Sequence, residues 1–113
     1  MARAAAASDI YNAIAEPRRR AIFEFVCEGE RSVTDVVSAL NIGQPSVSKH
    51  LRVLREVDLV TVRRDGRKRL YAGDVQTLGQ VRDWVRQCER LWERQLDRIK
   101  ERAERRAATP PGA

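Results

Sequence analysis

The segment 59–73, LVTVRRDGRKRLYAG, constrains the fold more than any other part of the chain. Val60, Thr61 and Val62, which are β-branched, come before Asp65 and Gly66, and Leu70 and Tyr71 come after them. Asp-Gly is a dipeptide that favours tight turns between antiparallel strands. The segments before and after it have apolar residues at intervals of three and four, as on one face of a helix. The sequence therefore predicts a mainly α fold with a single two-stranded β-hairpin.

We expect about five helices around this hairpin, spanning about residues 8–15, 16–28, 32–40, 44–57 and 74–103. Ser8, Gly43 and Asp74 are the predicted N-caps of the first, fourth and last of these helices. Pro17 and Pro45 then fall in first turns, where proline is tolerated. Residues 8–103 are expected to form one domain, and residues 104–113 a disordered tail that ends in AATPPGA.

Charge and composition restrict the class of function. The 113 residues include 22 Lys and Arg against 16 Asp and Glu, so the net charge of +6 favours a polyanionic partner. No apolar run is long enough to span a bilayer and no export signal is evident, so we expect a cytoplasmic protein, associated with the nucleoid when bound to DNA, and no membrane partner. No set of residues suggests catalysis, so an enzyme is not expected.

The order of helix, NIG turn, helix and basic hairpin is the layout of a winged helix-turn-helix, whose second helix reads duplex DNA. Val47, Leu51 and Leu54 would face inward and leave the polar side of this helix free. For contacts with bases we predict Gln44, Ser46 and Arg52. For contacts with phosphates we predict Ser48, Lys49 and His50. The hairpin adds five cations, which are expected to grip the backbone: Arg63, Arg64, Arg67, Lys68 and Arg69.

The last predicted helix has a wider apolar side than one small domain can cover. A homodimer held by the first and last helices, bound to a palindromic site, is the preferred explanation. The predicted interface residues are Ile10, Tyr11, Ile14, Val81, Val85, Cys88, Trp92 and Leu96. Cys88 and Cys27 are interpreted as core residues, because free cysteine is among the most buried residue types.

Three segments together resemble the ArsR/SmtB family of winged-helix repressors: AEPRRRAIFEFV, GQPSVSKHLRVLREVDLV and RRDGRKRLYAGD. The resemblance runs from about Ile10 to Ile99. It implies a five-helix domain with a two-stranded wing, a homodimer built on the first and last helices, and repression by occupying a promoter until an inducer binds. It leaves the inducer unknown.

Metal-sensing members of that family carry cysteine pairs before the recognition helix, or His and carboxylate ligands on the last helix. This chain has RSVTDVV at the first position, where Ser32, Thr34 and Asp35 supply no thiolate, and its single histidine, His50, lies elsewhere. A soft or borderline metal needs three or four converging nitrogen or sulfur ligands. We therefore expect no metal site and no cofactor.

Two alternative functions remain open. Another branch of the family senses oxidants with one cysteine on the second helix and one on the last, where this chain has Cys27 and Cys88. A thiol-based redox-sensing repressor is thus one alternative. The other is an architectural protein that binds nucleic acid without sequence preference, with affinity from its basic residues alone.

Overall fold

A computed structural model describes residues 6–108, with side chains from Ile10 onward. The elements in chain order are α1 (Ala6–Ala15), α2 (Pro17–Cys27), α3 (Val33–Leu40), α4 (Gln44–Glu56), β1 (Val60–Asp65), β2 (Lys68–Gly73) and α5 (Gly79–Ala108). A short 3₁₀ helix, Val75–Leu78, precedes α5. The chain divides into two compact units, Met1–Gly79 and Gln80–Ala113. The predicted five helices and antiparallel hairpin are confirmed within the described residues.

Several predicted element boundaries were wrong. Helix α1 begins at Ala6, so Ser8 is not the residue before it. Asp74 caps the 3₁₀ helix and not the long one, since its carboxylate accepts a hydrogen bond of 3.1 Å from the Gln76 N–H. At the other end, α5 continues to Ala108, so residues 104–108 of the predicted tail are helical, and residues 109–113 lie outside the described part of the chain.

The core of the first unit is built around α2 and α4. The apolar stripe predicted for α4 is confirmed, because Val47, Leu51 and Leu54 are all fully buried. Helix α2 packs against α1, α3, α4 and β2, and this wide contact buries Phe23 together with Ile22 and Val26. Phe25 is only half-buried, and the Arg31 guanidinium lies 4.5 Å from the centre of its ring.

The turn between α3 and α4 depends on Asn41 for its left-handed residue. Asn41 has φ 55° and donates its N–H to the Val37 carbonyl at 2.9 Å, which ends α3. Asparagine is one of the few residues with a side chain that enter this region at low cost. Gly43, two residues later, has φ −61° and serves as the N-cap of α4, as predicted.

Both cysteines are exposed, so their interpretation as core residues was wrong for this chain. Cys88 belongs to α5, in which every residue from 82 to 108 is exposed. Cys27 is the last residue of α2, and its sulfur lies so close to the end of β2 that a side chain at Gly73 would overlap it. The root of the hairpin thus packs against the end of α2.

Candidate nucleic-acid interface

Helix α4 presents a polar face opposite its buried stripe. Gly43 provides no side-chain hydrogen bond to the start of the helix, so the first backbone N–H groups of α4, those of Gln44 and Ser46, have no side-chain cap. Residues at spacings of three, four and seven share one face of a helix. The exposed side chains on this face are Gln44, Ser48, Lys49, Arg52 and Arg55.

This face meets the hairpin in a groove of about 480 Å³. Its charged and polar lining, which we call the basic groove, comprises Ser48, Lys49, Arg52 and Arg55 of α4 together with Arg69 of β2. Tyr71, which is buried, lies beside Arg69 in the lining, between the groove and the core. Four cations from two elements therefore surround one concave surface, an arrangement that attracts a polyanion.

Arg55 is a site residue that the sequence analysis missed. It follows Arg52 by three residues and Ser48 by seven, so helical spacing alone places it on the same face. The helical spacing could have been seen in the sequence. Arg55 lies in the last turn of α4, however, beyond the residues for which DNA contacts are predicted.

The hairpin register determines where the remaining cations lie. Asp65 pairs with Lys68, leaving a two-residue loop of Gly66 and Arg67 in which Gly66 has φ +64°. Positive φ at the first loop residue is the reason for glycine there. Arg64 lies directly opposite Arg69, on the strand face that also carries the Val62 and Tyr71 pair. Arg64, Arg67, Lys68 and Arg69 are all exposed.

Arg63 does not join these cations, although it was predicted to contact DNA. Its Nε donates to Oε2 of Glu30 at 2.6 Å, and a second nitrogen donates to Oε1 at 2.8 Å. This pair lowers the pKa of Glu30 and raises that of Arg63, first through the hydrogen bonds and then through the opposite charge. Two of its five N–H groups are therefore engaged within the chain.

Ser46 and His50 lie away from the basic groove, because both sit on the flank of α4 that turns towards α2. Ser46 is half-buried and lines a second groove with Pro17 and Arg18. The His50 side chain is 13% exposed, with Nε2 3.7 Å from a Glu16 oxygen. Burial lowers the pKa of His50, more than the Glu16 carboxylate raises it. The phosphate contact predicted for His50 therefore does not fit its surroundings.

Glu16 is held in place by the start of α2. As the N-cap residue, its carboxylate accepts hydrogen bonds from the N–H groups of Arg19 at 2.8 Å and Arg18 at 3.3 Å. These bonds, the one from Arg19 first, hold the pKa of Glu16 below its ordinary value. Arg19 and Arg20 in turn donate to carbonyls at the end of α1, the closest being Ile14 at 3.2 Å from Arg20. The α1–α2 junction thus fixes the carboxylate beside His50.

The residues predicted for a dimer interface divide by exposure. In α1, Ile10 is only 7% exposed and belongs to the core of its own chain, while Tyr11 and Ile14 are half-buried. In α5, Val81 is half-buried. The exposed apolar residues at positions three and four apart form what we call the apolar stripe of α5: Val85, Cys88, Trp92, Leu96 and Ile99. Trp84 and Leu91, which are also exposed, widen it on one side.

Side chains of the types that bind metal ions do not gather at one site in the described part of the chain. Among residues 10–108, no three His, Cys, Asp or Glu side chains come close enough to hold a metal ion. Partial burial, and then the charge of Glu24, raise the pKa of Cys27. A raised pKa disfavours the thiolate, which is the reactive form.

No helix in the described part of the chain is long and apolar enough to cross a membrane.

Comparison with known proteins gives a consistent result. Residues 16–62 match the family model described as "Bacterial regulatory protein, arsR family". An HTH-type transcriptional regulator of Mycobacterium tuberculosis is 35% identical over 86 residues, which are 76% of this chain and 78% of that protein. The HTH-type transcriptional repressor SmtB of the same species is 42% identical over 66 residues, 58% of this chain and 49% of the repressor. The chain thus spans about half the length of that repressor.

The fold has close counterparts among solved structures. The homodimeric winged helix-turn-helix DNA-binding domain of a possible ArsR-family regulator from Mycobacterium bovis superimposes with a TM-score of 0.63 at 24% identity, covering 78% of this chain and 82% of that domain. At this identity the likeness concerns the fold alone. It confirms the winged helix-turn-helix predicted from the sequence.

Proposed function

The chain belongs to the ArsR family of bacterial regulatory proteins, and we propose that it is a sequence-specific DNA-binding repressor that acts as a homodimer. The observation that carries the proposal is the basic groove, where three cations of α4 and one of β2 face the same concave surface. A winged helix-turn-helix uses these two elements, the second helix of the motif and the wing, to hold duplex DNA.

Helix α4 is the base-reading element in this proposal. Arginine pairs with the guanine edge and glutamine with the adenine edge in bidentate geometry. Gln44 is exposed at the start of α4, and Arg52 is exposed about two turns further along the helix. Ser48 and Lys49 lie between them and are suited to phosphate oxygens. The uncapped backbone N–H groups after Gly43 add a further preference for an anion at that end.

The hairpin is the phosphate-gripping element. Arg64 and Arg69 are opposite each other, and Arg67 occupies the exposed loop. Like charges directly across a strand pair destabilise the hairpin, so their placement is best explained by an anion that neutralises them. Affinity and salt dependence, more than base choice, are expected to come from these residues.

Dimerisation is proposed from the apolar stripe of α5. Trp92, at the middle of the stripe, is 60% exposed, and isolated monomers seldom leave a continuous stripe of this kind in water. A second copy of α5 would cover it in the manner of paired amphipathic helices. The solved M. bovis domain, which has the same fold, is a homodimer. Two copies of α4 would then face two half-sites on one side of the duplex.

The alternatives are less well supported. A redox-sensing repressor would need a reactive thiolate, whereas the partial burial of the Cys27 side chain raises its pKa. An architectural protein would need cations only, whereas α4 also presents Gln44 and Ser48, which are neutral and suited to specific hydrogen bonds.

Selection of bound sequences from a random duplex pool tests the proposal. The expected result is an enriched palindrome whose half-sites are about one helical turn apart, or a multiple of it. Retention of all sequences in proportion to their input would overturn the proposal of a specific repressor and leave the architectural alternative. Enrichment of a single, non-repeated half-site would overturn the dimeric part.

A further inference from the structure

Glu30 and Arg31, two successive residues, form hydrogen bonds with both strands of the hairpin. Through its backbone, Arg31 makes two hydrogen bonds with Tyr71 of β2, of 2.9 and 2.8 Å. Through its side chain, Glu30 makes the bidentate contact with Arg63 of β1. Two successive residues in the connection between α2 and α3 thus hold one strand each.

Arg31 also contacts α2 through its side chain. The Arg31 guanidinium lies over the ring of Phe25 at 4.5 Å, which ties the connection to the preceding helix. Tyr71, the strand residue that Arg31 holds, also lines the basic groove beside Arg69. A change in the contacts that Glu30 and Arg31 make with the hairpin would therefore move Arg69 relative to Arg52.

The Glu30–Arg63 ion pair is expected to contribute little to the stability of the fold. The two side chains are 40% and 56% exposed, and ion pairs of this exposure add little to folding because water screens them. A bidentate arginine–carboxylate contact does, however, fix geometry as well as charge. Moreover, an acidic group beside the wing repels DNA, so its presence there calls for a role that outweighs the repulsion.

We propose that Glu30, acting through Arg63, is a positioning residue that fixes the orientation of the wing over the basic groove, and that Arg63 itself is not a DNA contact. This inference rests on the proposed function, since it concerns how the wing meets duplex DNA. A wing that is already oriented loses less conformational entropy when it binds DNA, so less of the binding free energy is spent on ordering the hairpin.

The sign of one substitution separates positioning from charge. Glu30→Gln removes a negative charge next to a polyanion, so charge alone would tighten binding to every duplex. Positioning requires the opposite result, an affinity for the selected duplex about three- to fivefold weaker. Tighter binding with a steeper salt dependence would overturn the proposal, because it would mean that Glu30 withholds Arg63 from phosphate.

A charge-swapped pair provides the second test. Arg63→Glu alone should weaken binding, and adding Glu30→Arg should restore it to within about twofold of the wild type, because the same contact forms in reverse. Glu30→Arg also restores the net charge, which would recover binding to the selected and the scrambled duplex alike. Recovery equal on both duplexes, without return of the preference for the selected one, would therefore overturn the positioning role. Amide hydrogen exchange adds a readout without DNA: exchange at Arg31 and Tyr71 should be faster in Glu30→Gln and return to normal in the swapped pair.

The probes are the duplex enriched by the wild-type chain and a scrambled duplex of the same composition. If the wild type enriches no sequence, the proposed function fails before this question arises. If it enriches one and Glu30→Gln binds that duplex as tightly as the wild type does, only the positioning role is overturned. Arg52→Ala serves as the control, since it removes a groove contact and should leave hydrogen exchange at Tyr71 unchanged.

Discussion

Arg64 and Arg69 face each other across the hairpin, two like charges in directly opposed positions of the register. Opposed like charges destabilise a strand pair, whereas opposed unlike charges contribute about 0.2–1 kcal/mol. Arg64→Glu should therefore raise the free energy of unfolding by a few tenths of a kcal/mol or more while weakening DNA binding. Urea denaturation and a DNA titration of the same variant measure the two effects.

A matched variant should reverse the change in the free energy of unfolding but not the change in DNA affinity. Lys68 lies opposite Asp65, so Lys68→Glu makes the same change in net charge but creates an unfavourable pair. It should lower the free energy of unfolding as well as the DNA affinity. Equal stability changes in the two variants would show that the cross-strand pairs do not govern hairpin stability.

His50 should make stability depend on pH near neutrality. Burial, opposed only in part by Glu16, lowers its pKa in the folded chain below the ordinary value of 6.5. The unfolded chain therefore takes up this proton at higher pH than the folded chain does. The free energy of unfolding should fall as pH drops through about 6.5 and level off below the folded pKa.

The control for this prediction is His50→Gln, because the chain contains one histidine. The lowered pKa of Glu16 affects stability only at more acidic pH, below its ordinary value of 4.5. Urea denaturation between about pH 7.5 and pH 5.5 should show a slope for the wild type and none for the variant. The same slope in both proteins would mean that another group titrates.

Asp58 occupies a left-handed position at the end of α4 where glycine fits better. It has φ 63°, and the N–H of the following Leu59 donates to the Leu54 carbonyl at 2.9 Å, which closes the helix. Asp58→Gly should stabilise the chain by about 0.5–1 kcal/mol, because glycine adopts this region without steric cost. Thermal unfolding measures the gain. Asp58→Ala should give none, and a comparable gain from alanine would place the cause outside the backbone.

Trp92 tests the apolar stripe of α5. Trp92→Glu puts a charge at an exposed apolar position that we propose a second copy covers, so dimer and DNA binding should weaken together. Sedimentation velocity at micromolar concentration measures the first effect. Arg90→Glu, at an exposed polar position on the opposite side of the same helix, should leave the mass of the assembly unchanged. An unaltered dimer in Trp92→Glu would exclude the stripe from the interface.

The elements that local patterns specify were the predictable ones. The three-four spacing of Val47, Leu51 and Leu54 located α4, and Asp65-Gly66 located the hairpin, because periodicity and turn chemistry act within a few residues. The same periodicity placed the apolar residues of α5 on one side of that helix. Periodicity could not show whether another segment of this chain or a second copy of it covers these residues.

Features that depend on long-range contacts were not predictable. Glu30 and Arg63 are 33 positions apart, and nothing in either segment alone indicates their pairing. Helical spacing placed His50 at the edge of the buried stripe, but it could not reveal the carboxylate of Glu16, the N-cap residue of α2, beside it. Cys27 was taken for a core residue from the average behaviour of cysteine, whereas its position at the very end of α2 leaves it exposed.

The most direct test of the central claim compares Arg52→Ala with Arg69→Ala on the selected and the scrambled duplex at several salt concentrations. Arg52→Ala should cost about 1–3 kcal/mol on the selected duplex, relax the preference at one base of each half-site, and scarcely change binding to the scrambled one. Arg69→Ala should weaken binding to both duplexes alike and reduce the salt slope by about one. If both variants lost the same affinity on both duplexes, the chain would bind DNA through charge alone, and the claim that α4 reads bases would be contradicted.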